Sequence, residues 1–197
     1  MPIDRMILAS SSPRRIELLQ QMGLTFEVYP SNTPEPMPKQ GEDPAAYVQR
    51  ASAHKAASVL EALQDPEVWI LAADTVVVQD QKILGKPTDK DDALRILKQL
   101  SGRDHEVITG IAIYHGNKGI RDLSAERTQV WFHAATDAQL RGYIQTKEPM
   151  DKAGAYGIQG KGAWFIKRID GCYFNVVGLP LHHMFQRLET LGAGTYF

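Results

Sequence analysis

Met6-Ile7-Leu8-Ala9-Ser10-Ser11-Ser12-Pro13-Arg14-Arg15-Ile16-Glu17-Leu18-Leu19 reads as a strand that stops in a serine loop and turns directly into a helix. Ser12 is a natural N-cap, and Pro13 suits the first helical position, where its missing N–H costs nothing. Arg14 and Arg15 then fall in the first turn, where the helix dipole disfavours cations. Two readings stay open: a solvated helix start with surface arginines, or an anion met from outside. Free backbone N–H groups, the hydroxyls of Ser10 and Ser12 and two guanidinium groups converging on one point suit a phosphate. A second helix start acts as a control. Thr88-Asp89-Lys90-Asp91-Asp92 opens the helix Ala93–Leu100 with acids first and bases later, the ordinary order. The chain can obey the dipole rule, so its violation at Arg14-Arg15 carries information.

With 197 residues, 43% hydrophobic and 23% charged, the chain has the composition of a globular protein and enough length for one sizeable core or two lobes sharing a sheet. Its net charge of −1 gives no bulk attraction to nucleic acid or anionic membrane, so any anion site must be a local cluster of bases. The single cysteine, Cys172, excludes an intramolecular disulfide and a cysteine-built zinc site, and its neighbours Tyr173 and Phe174 predict a packed thiol. No apolar run approaches the ~18 residues of a membrane span, and no signal-peptide pattern opens the sequence. A cytoplasmic enzyme or binding protein is the expectation.

Outward from the opening stretch, Gly23 closes the first helix and Thr25–Tyr29 alternates as a strand. A proline-rich loop, Pro30–Pro44, carries Glu35 between two prolines near the surface. Asp43-Pro44 repeats the cap-plus-proline device. In the helix that follows, Val48, Ala51, Lys55 and Val59 share one face, which sets Lys55 inside an apolar stripe. Lys55 either snorkels past the core edge or points its ammonium into a cleft. Val68–Ala73 is a continuous apolar run, as in a central strand buried on both faces, and it leads straight into Asp74-Thr75. An acid embedded there is expensive unless paired, metal-bound or used, so Asp74 reads as functional. Gly85-Lys86-Pro87 puts a lysine where a short strand ends.

Further on, Glu106–His115 and Ile120–Ala134 predict a long hairpin across Gly116–Gly119, and Thr136 with Gln139 predicts a capping box. Asp151–Gly162 has four glycines in nine positions, which permits close backbone approach. It is neither a Walker A loop nor a dinucleotide fingerprint. Ala163–Ile169 and Cys172–Val177 predict a tight hairpin on Asp170-Gly171. A last helix is expected from Pro180 to Gly192, burying Leu181, Met184, Phe185, Leu188 and Leu191, with His182 and His183 solvated. The other histidines show no ligand spacing.

Collected, the unusual bases are Arg14, Arg15, Lys55, Lys86 and Lys152, and the unusual acids Glu35, Asp74 and Asp151. Such a set suggests a polyphosphate held with a divalent metal, because Mg²⁺ and Mn²⁺ take carboxylates together with phosphate oxygens.

The motifs Leu8–Arg15, Lys55-Ala56, Ala73-Asp74-Thr75, Gly85-Lys86-Pro87, Leu100-Ser101-Gly102, Asp151–Gly160 and Gly178-Leu179-Pro180 occur in an order that resembles the Maf family of nucleoside triphosphate pyrophosphatases, also known as septum-formation inhibitors. The resemblance runs from about Met6 to Leu191. It implies a single domain over residues 1–197, α/β in class. The fold would be two-lobed and inosine-triphosphate-pyrophosphatase-like, with a long mixed sheet, flanking helices and an active-site cleft. It implies a homodimer, a nucleoside triphosphate as partner with no nucleic acid or membrane, and hydrolysis between the α- and β-phosphates.

Asp74 matches the family's proton acceptor, with Lys55 and Lys86 beside it. Ser10, Ser12, Arg14, Arg15 and Lys152 match substrate contacts, and Glu35 with Asp74 matches the metal-binding acids. The family usually has neighbouring acids where Glu35 stands alone between prolines. Arg14, Thr75 and Gln159 match the branch acting on dTTP and UTP; the 7-methyl-GTP branch typically carries a tryptophan near the first and a glutamate at the last. The competing class is a nucleotide-sensing regulator of cell division without turnover. A sensor needs no buried carboxylate beside the phosphates, which favours the enzyme.

Overall fold

Three strands near the N-terminus set the framework: β1 (Met6–Leu8), β2 (Glu27–Val28) and β3 (Trp69–Gln79). They run parallel, with β1 between the other two, Leu8 opposite Val28 on one side and Leu71 on the other. Two helices make the connections, α1 (Pro13–Gln21) and α2 (Pro44–Leu63). The chain therefore leaves β1 for one neighbour and returns to the other, which makes the carboxyl end of β1 a topological switch point. The remaining elements are β4 (Lys82–Leu84), α3 (Lys90–Leu100), β5 (Asp104–His115), β6 (Ile120–Phe132), α4 (Asp137–Gln145), β7 (Ile166–Asp170), α5 (Tyr173–Val177) and α6 (Leu181–Thr190). This computed structural model describes residues 5–194. Among them the strands form one seven-stranded mixed sheet in the order β2-β1-β3-β5-β6-β7, with β4 paired to β3.

The chain divides into two compact units. The first holds residues up to Asp74, Thr109–Glu126 and the chain from Gly178 on; the second holds Thr75–Ile108 and Arg127–Val177. In the first, Ile7, Ala56, Val59, Val68, Ile70, Ala72, Ala112 and Tyr114 form a core of sheet and α2. Gly110 on β5 sets the spacing: a Cβ there would lie 2.4 Å from the carbonyl carbon and oxygen of Val48, so only glycine lets α2 come this close. In the second, Leu94, Leu97, Leu100, Val107, Val130, Phe132, Tyr143, Tyr156 and Phe165 lie in one cluster.

Local chemistry explains most boundaries. Asp43 caps α2 by accepting from the N–H groups of Ala45 and Ala46, and Thr136 with Gln139 forms the expected capping box of α4. Gly102 and Gly23 stand at positive φ just past α3 and α1. β5 and β6 form the long hairpin. Ser12 occupies the N-cap position of α1, but its side chain makes no capping hydrogen bond.

Five expectations need correction. Thr25–Tyr29 pairs as a strand only at Glu27–Val28. The hairpin on Asp170-Gly171 does not form: Ala163–Phe165 belongs to a 3₁₀ turn, and Ile166–Asp170 pairs antiparallel with β6 instead. Beyond it the chain becomes helix α5, because the buried Asn175 side chain donates to the carbonyl of Val107 and to Thr128 Oγ1, both at 2.9 Å. Cys172 is a half-buried free thiol rather than a packed one, since Tyr173 and Phe174 point outward at 41% and 38% exposure. Phe185 in α6 and Leu191 just past its end are only half-buried. His183 is not solvated but faces Glu126 at 3.4 Å.

Candidate active site

The register at the switch point places the first group of residues. β1 ends at Leu8, opposite Leu71, and the Ala9 N–H still reaches the Leu71 carbonyl at 2.8 Å. β3 continues, so Asp74 stands three residues beyond the last paired position of β1, where the serine loop turns into α1. Its side chain is 8% exposed. The apolar run made that strand; its continuation past β1 carries the acid into the switch-point region.

Lys55 supplies the countercharge. Its Nζ donates to Asp74 Oδ1 at 2.5 Å and to Glu35 Oε1 at 2.9 Å. Val48, Ala51 and Val59 on the same face are buried, so the apolar stripe packs α2 down and leaves the lysine stem running through it to the acid. Of the two readings of Lys55, the structure supports the inward-pointing ammonium. Glu35 reaches the lysine because its loop is fastened to α2: Ser31 Oγ meets Ser58 Oγ at 2.9 Å, and Arg50 grips Glu42 and the Met37 carbonyl. Burial, with the charges of Asp74 and Glu35, pushes the Tyr47 phenol up to about 12.

Arg15 faces the same group. Its Nε donates to the Gly178 carbonyl at 2.8 Å, and one terminal nitrogen donates to Ser10 Oγ at 3.2 Å. Ser10 Oγ also accepts the Ser12 N–H at 3.2 Å, which ties the loop to the start of α1. Burial lowers the Arg15 guanidinium from its ordinary value, and the nearby Asp74 charge opposes that shift. Arg14 is half-buried one residue earlier.

The second unit carries the other expected residues. Thr75 is half-buried on β3, while Lys86 and Gln159 are exposed. The Gly154 N–H donates to the Gly85 carbonyl at 3.1 Å, which fastens the segment of Lys152 to that of Lys86. Lys152 Nζ donates to Asp151 at 2.6 Å and to the Glu148 carbonyl at 2.7 Å. The glycines of this stretch are approached closely by the protein itself: Gly154 by Val77, Gly157 by Lys152 and Gly160 by Glu148. Glu148 carries little signal in the sequence. Its only signal there is an acid before Pro149, upstream of the glycines.

Among the described residues, no group of three or more His, Cys, Asp and Glu side chains could hold a metal ion. Glu35 and Asp74 are two carboxylates on one ammonium. That donor set does not close a protein-only cage, but it fits a hard cation shared with phosphate oxygens. An ionised carboxylate, an ammonium bound to it and a guanidinium at a helix start can together polarise water and bind anionic oxygen.

The chain is similar to several known proteins. A protein named dTTP/UTP pyrophosphatase from Geobacter metallireducens is 48% identical over 96% of this chain and 97% of its own. One of the same name from Pelotomaculum thermopropionicum is 44% identical over 96% and 98%. Another, from Desulfotalea psychrophila, is 45% identical over 93% and 92%. Among solved structures, a nucleoside-triphosphatase (dITP/XTP pyrophosphatase) from Mycobacterium abscessus aligns over 65% of this chain and 74% of its own at 14% identity, with a TM-score of 0.42. The profile of the Maf-like protein family matches residues 5–191, and the chain belongs to that family.

Proposed function

We propose that this protein hydrolyses dTTP and UTP to the nucleoside monophosphate and pyrophosphate. The observation that carries the reading is the largely buried Asp74–Lys55 pair at the switch point, in a chain 44–48% identical over nearly its full length to proteins named for that activity. Arg14, Arg15 and the start of α1 bind phosphate charge, and Lys86 and Lys152 add to it. Lys55 pairs with the Asp74 carboxylate in its buried position. Asp74 accepts a proton from the attacking water, whose oxygen bonds to the α-phosphorus. The bond from that phosphorus to the bridging oxygen breaks, and its electron pair leaves on pyrophosphate. Glu35 and Asp74 would hold Mg²⁺ or Mn²⁺, which when bound supplies charge neutralisation on the phosphates. Thr75 and Gln159 offer a hydroxyl and an amide to the pyrimidine, with Arg14 as the third specificity position. The enzyme acts as a homodimer in the cytoplasm. Among the described residues no helix is long and apolar enough to cross a membrane.

The test is product analysis of purified protein with Mg²⁺ or Mn²⁺ and dTTP, UTP, CTP, dATP, GTP and 7-methyl-GTP. Monophosphate and pyrophosphate, formed fastest from dTTP and UTP, are expected. Release of single phosphates would place the broken bond wrongly. Binding without turnover would turn the reading to the regulator.

A further inference from the structure

We infer that Glu148 is the positioning residue of the base-reading loop, its carboxylate holding the backbone on both sides of Gln159. This rests on the proposal that Gln159 reads the pyrimidine. Glu148 Oε1 accepts the Tyr143 hydroxyl at 2.8 Å and the Gly162 N–H at 3.0 Å, and Oε2 accepts the Lys161 N–H at 2.9 Å. The Tyr143 hydroxyl in turn accepts the Gly157 N–H at 3.2 Å. Backbone donors two residues before Gln159, and two and three residues after it, thus end on one carboxylate, directly or through one phenol.

The glycine spacing is written around that carboxylate. A Cβ on Gly160 would lie 2.6 Å from Cδ and both oxygens of Glu148, and one on Gly162 would lie 2.6 Å from the Tyr143 hydroxyl. The charge states agree with these roles. Burial raises the Glu148 carboxyl, but the N–H groups of Gly162 and Lys161 and the Tyr143 hydroxyl outweigh it and hold the acid below its usual range. Burial, then the bond to Glu148, pushes the Tyr143 phenol up, so it stays a donor.

A loop with glycines at 157, 160 and 162 has much conformational freedom to lose. An amide discriminates between bases only when its donor and acceptor are held in one orientation, because rejection of the wrong base comes from leaving a fixed polar group unpaired. Glu148 supplies that hold without touching the base.

The test measures kcat and KM for dTTP and CTP in Glu148→Gln, Tyr143→Phe, Gln159→Ala and the double variant Glu148→Gln/Gln159→Ala. A glutamine at 148 keeps one acceptor and turns an NH₂ toward an N–H. Its dTTP/CTP preference in kcat/KM is expected to fall about tenfold, mostly through KM for dTTP. Tyr143→Phe, which keeps the carboxylate, is expected to lose less and serves if Glu148→Gln does not fold. The double variant should discriminate no worse than Gln159→Ala alone. Rates for dTTP and CTP that fall together in folded Glu148→Gln and Tyr143→Phe, with the preference ratio unchanged, would mark a purely structural role and overturn the positioning role. Preference lost in Gln159→Ala but kept in Glu148→Gln and Tyr143→Phe also overturns it, while leaving the reading of Gln159 intact. Preference unchanged in Gln159→Ala removes that reading and this inference with it.

Discussion

Lys55 Nζ lies 2.5 Å from Asp74 Oδ1, the lysine side chain 14% exposed and the aspartate 8%. The ammonium at the end of an apolar helix face and the acid at the end of an apolar strand run are each other's neutralisation. Neither would be tolerated there alone.

Asp74→Asn keeps the shape and a hydrogen-bond partner for Lys55 but cannot take a proton at neutral pH. Turnover of dTTP is expected to fall ~10²-fold or more with nucleotide binding largely retained. Single-turnover rates and equilibrium binding measure the two parts, and near-normal turnover would remove Asp74 from the base role.

Lys55→Met removes the cation and leaves two carboxylates facing each other, one buried. A loss of roughly 3–5 kcal/mol in urea unfolding is expected, as for breaking a buried pair. The double variant Lys55→Met/Asp74→Asn should recover part of that loss. If it is no more stable than Lys55→Met, the pair is not the source.

His105 gives the stability curve an acid limb. The ring is 2% exposed, its Nε2 lies 2.8 Å from the Tyr156 hydroxyl, and burial lowers its pKa from 6.5 to about 4. The unfolded chain therefore binds a proton that the folded chain refuses. The contribution is fully present above pH 6.5 and is lost as pH falls through the window to about 4, on the order of 3 kcal/mol in total. His105→Gln is expected to flatten that limb in unfolding measurements between pH 7 and 4. An unchanged slope would mean that His105 does not titrate across unfolding.

Gly110→Ala places a methyl against the Val48 backbone, which cannot move aside without shifting α2. A loss of about 1–3 kcal/mol is expected from overpacking. Because α2 carries Lys55, dTTP turnover per folded molecule should fall as well. Unaltered turnover in the folded fraction would show that α2 can shift without moving the ammonium off Asp74.

The sequence by itself determined the elements whose cause is local. The strand–serine–proline start, the Asp43-Pro44 and Thr136/Gln139 caps, the apolar run before Asp74 and the long β5–β6 hairpin all follow from period, capping and turn chemistry within a few residues. It also pointed to Asp74 and Lys55 as misplaced charges. Tertiary structure decided that those two meet, since residues 19 apart in the chain are joined only by the packing of α2 on β3 and β5 through Gly110. It decided that Cys172–Val177 is a helix, because Asn175 finds partners on β5 and β6 that no local pattern announces. And it decided what the glycines near Gln159 approach. From the sequence they were only flexible positions; in the fold each makes room for a group of the protein, Glu148 chief among them, which depends on distances no spacing of residues contains.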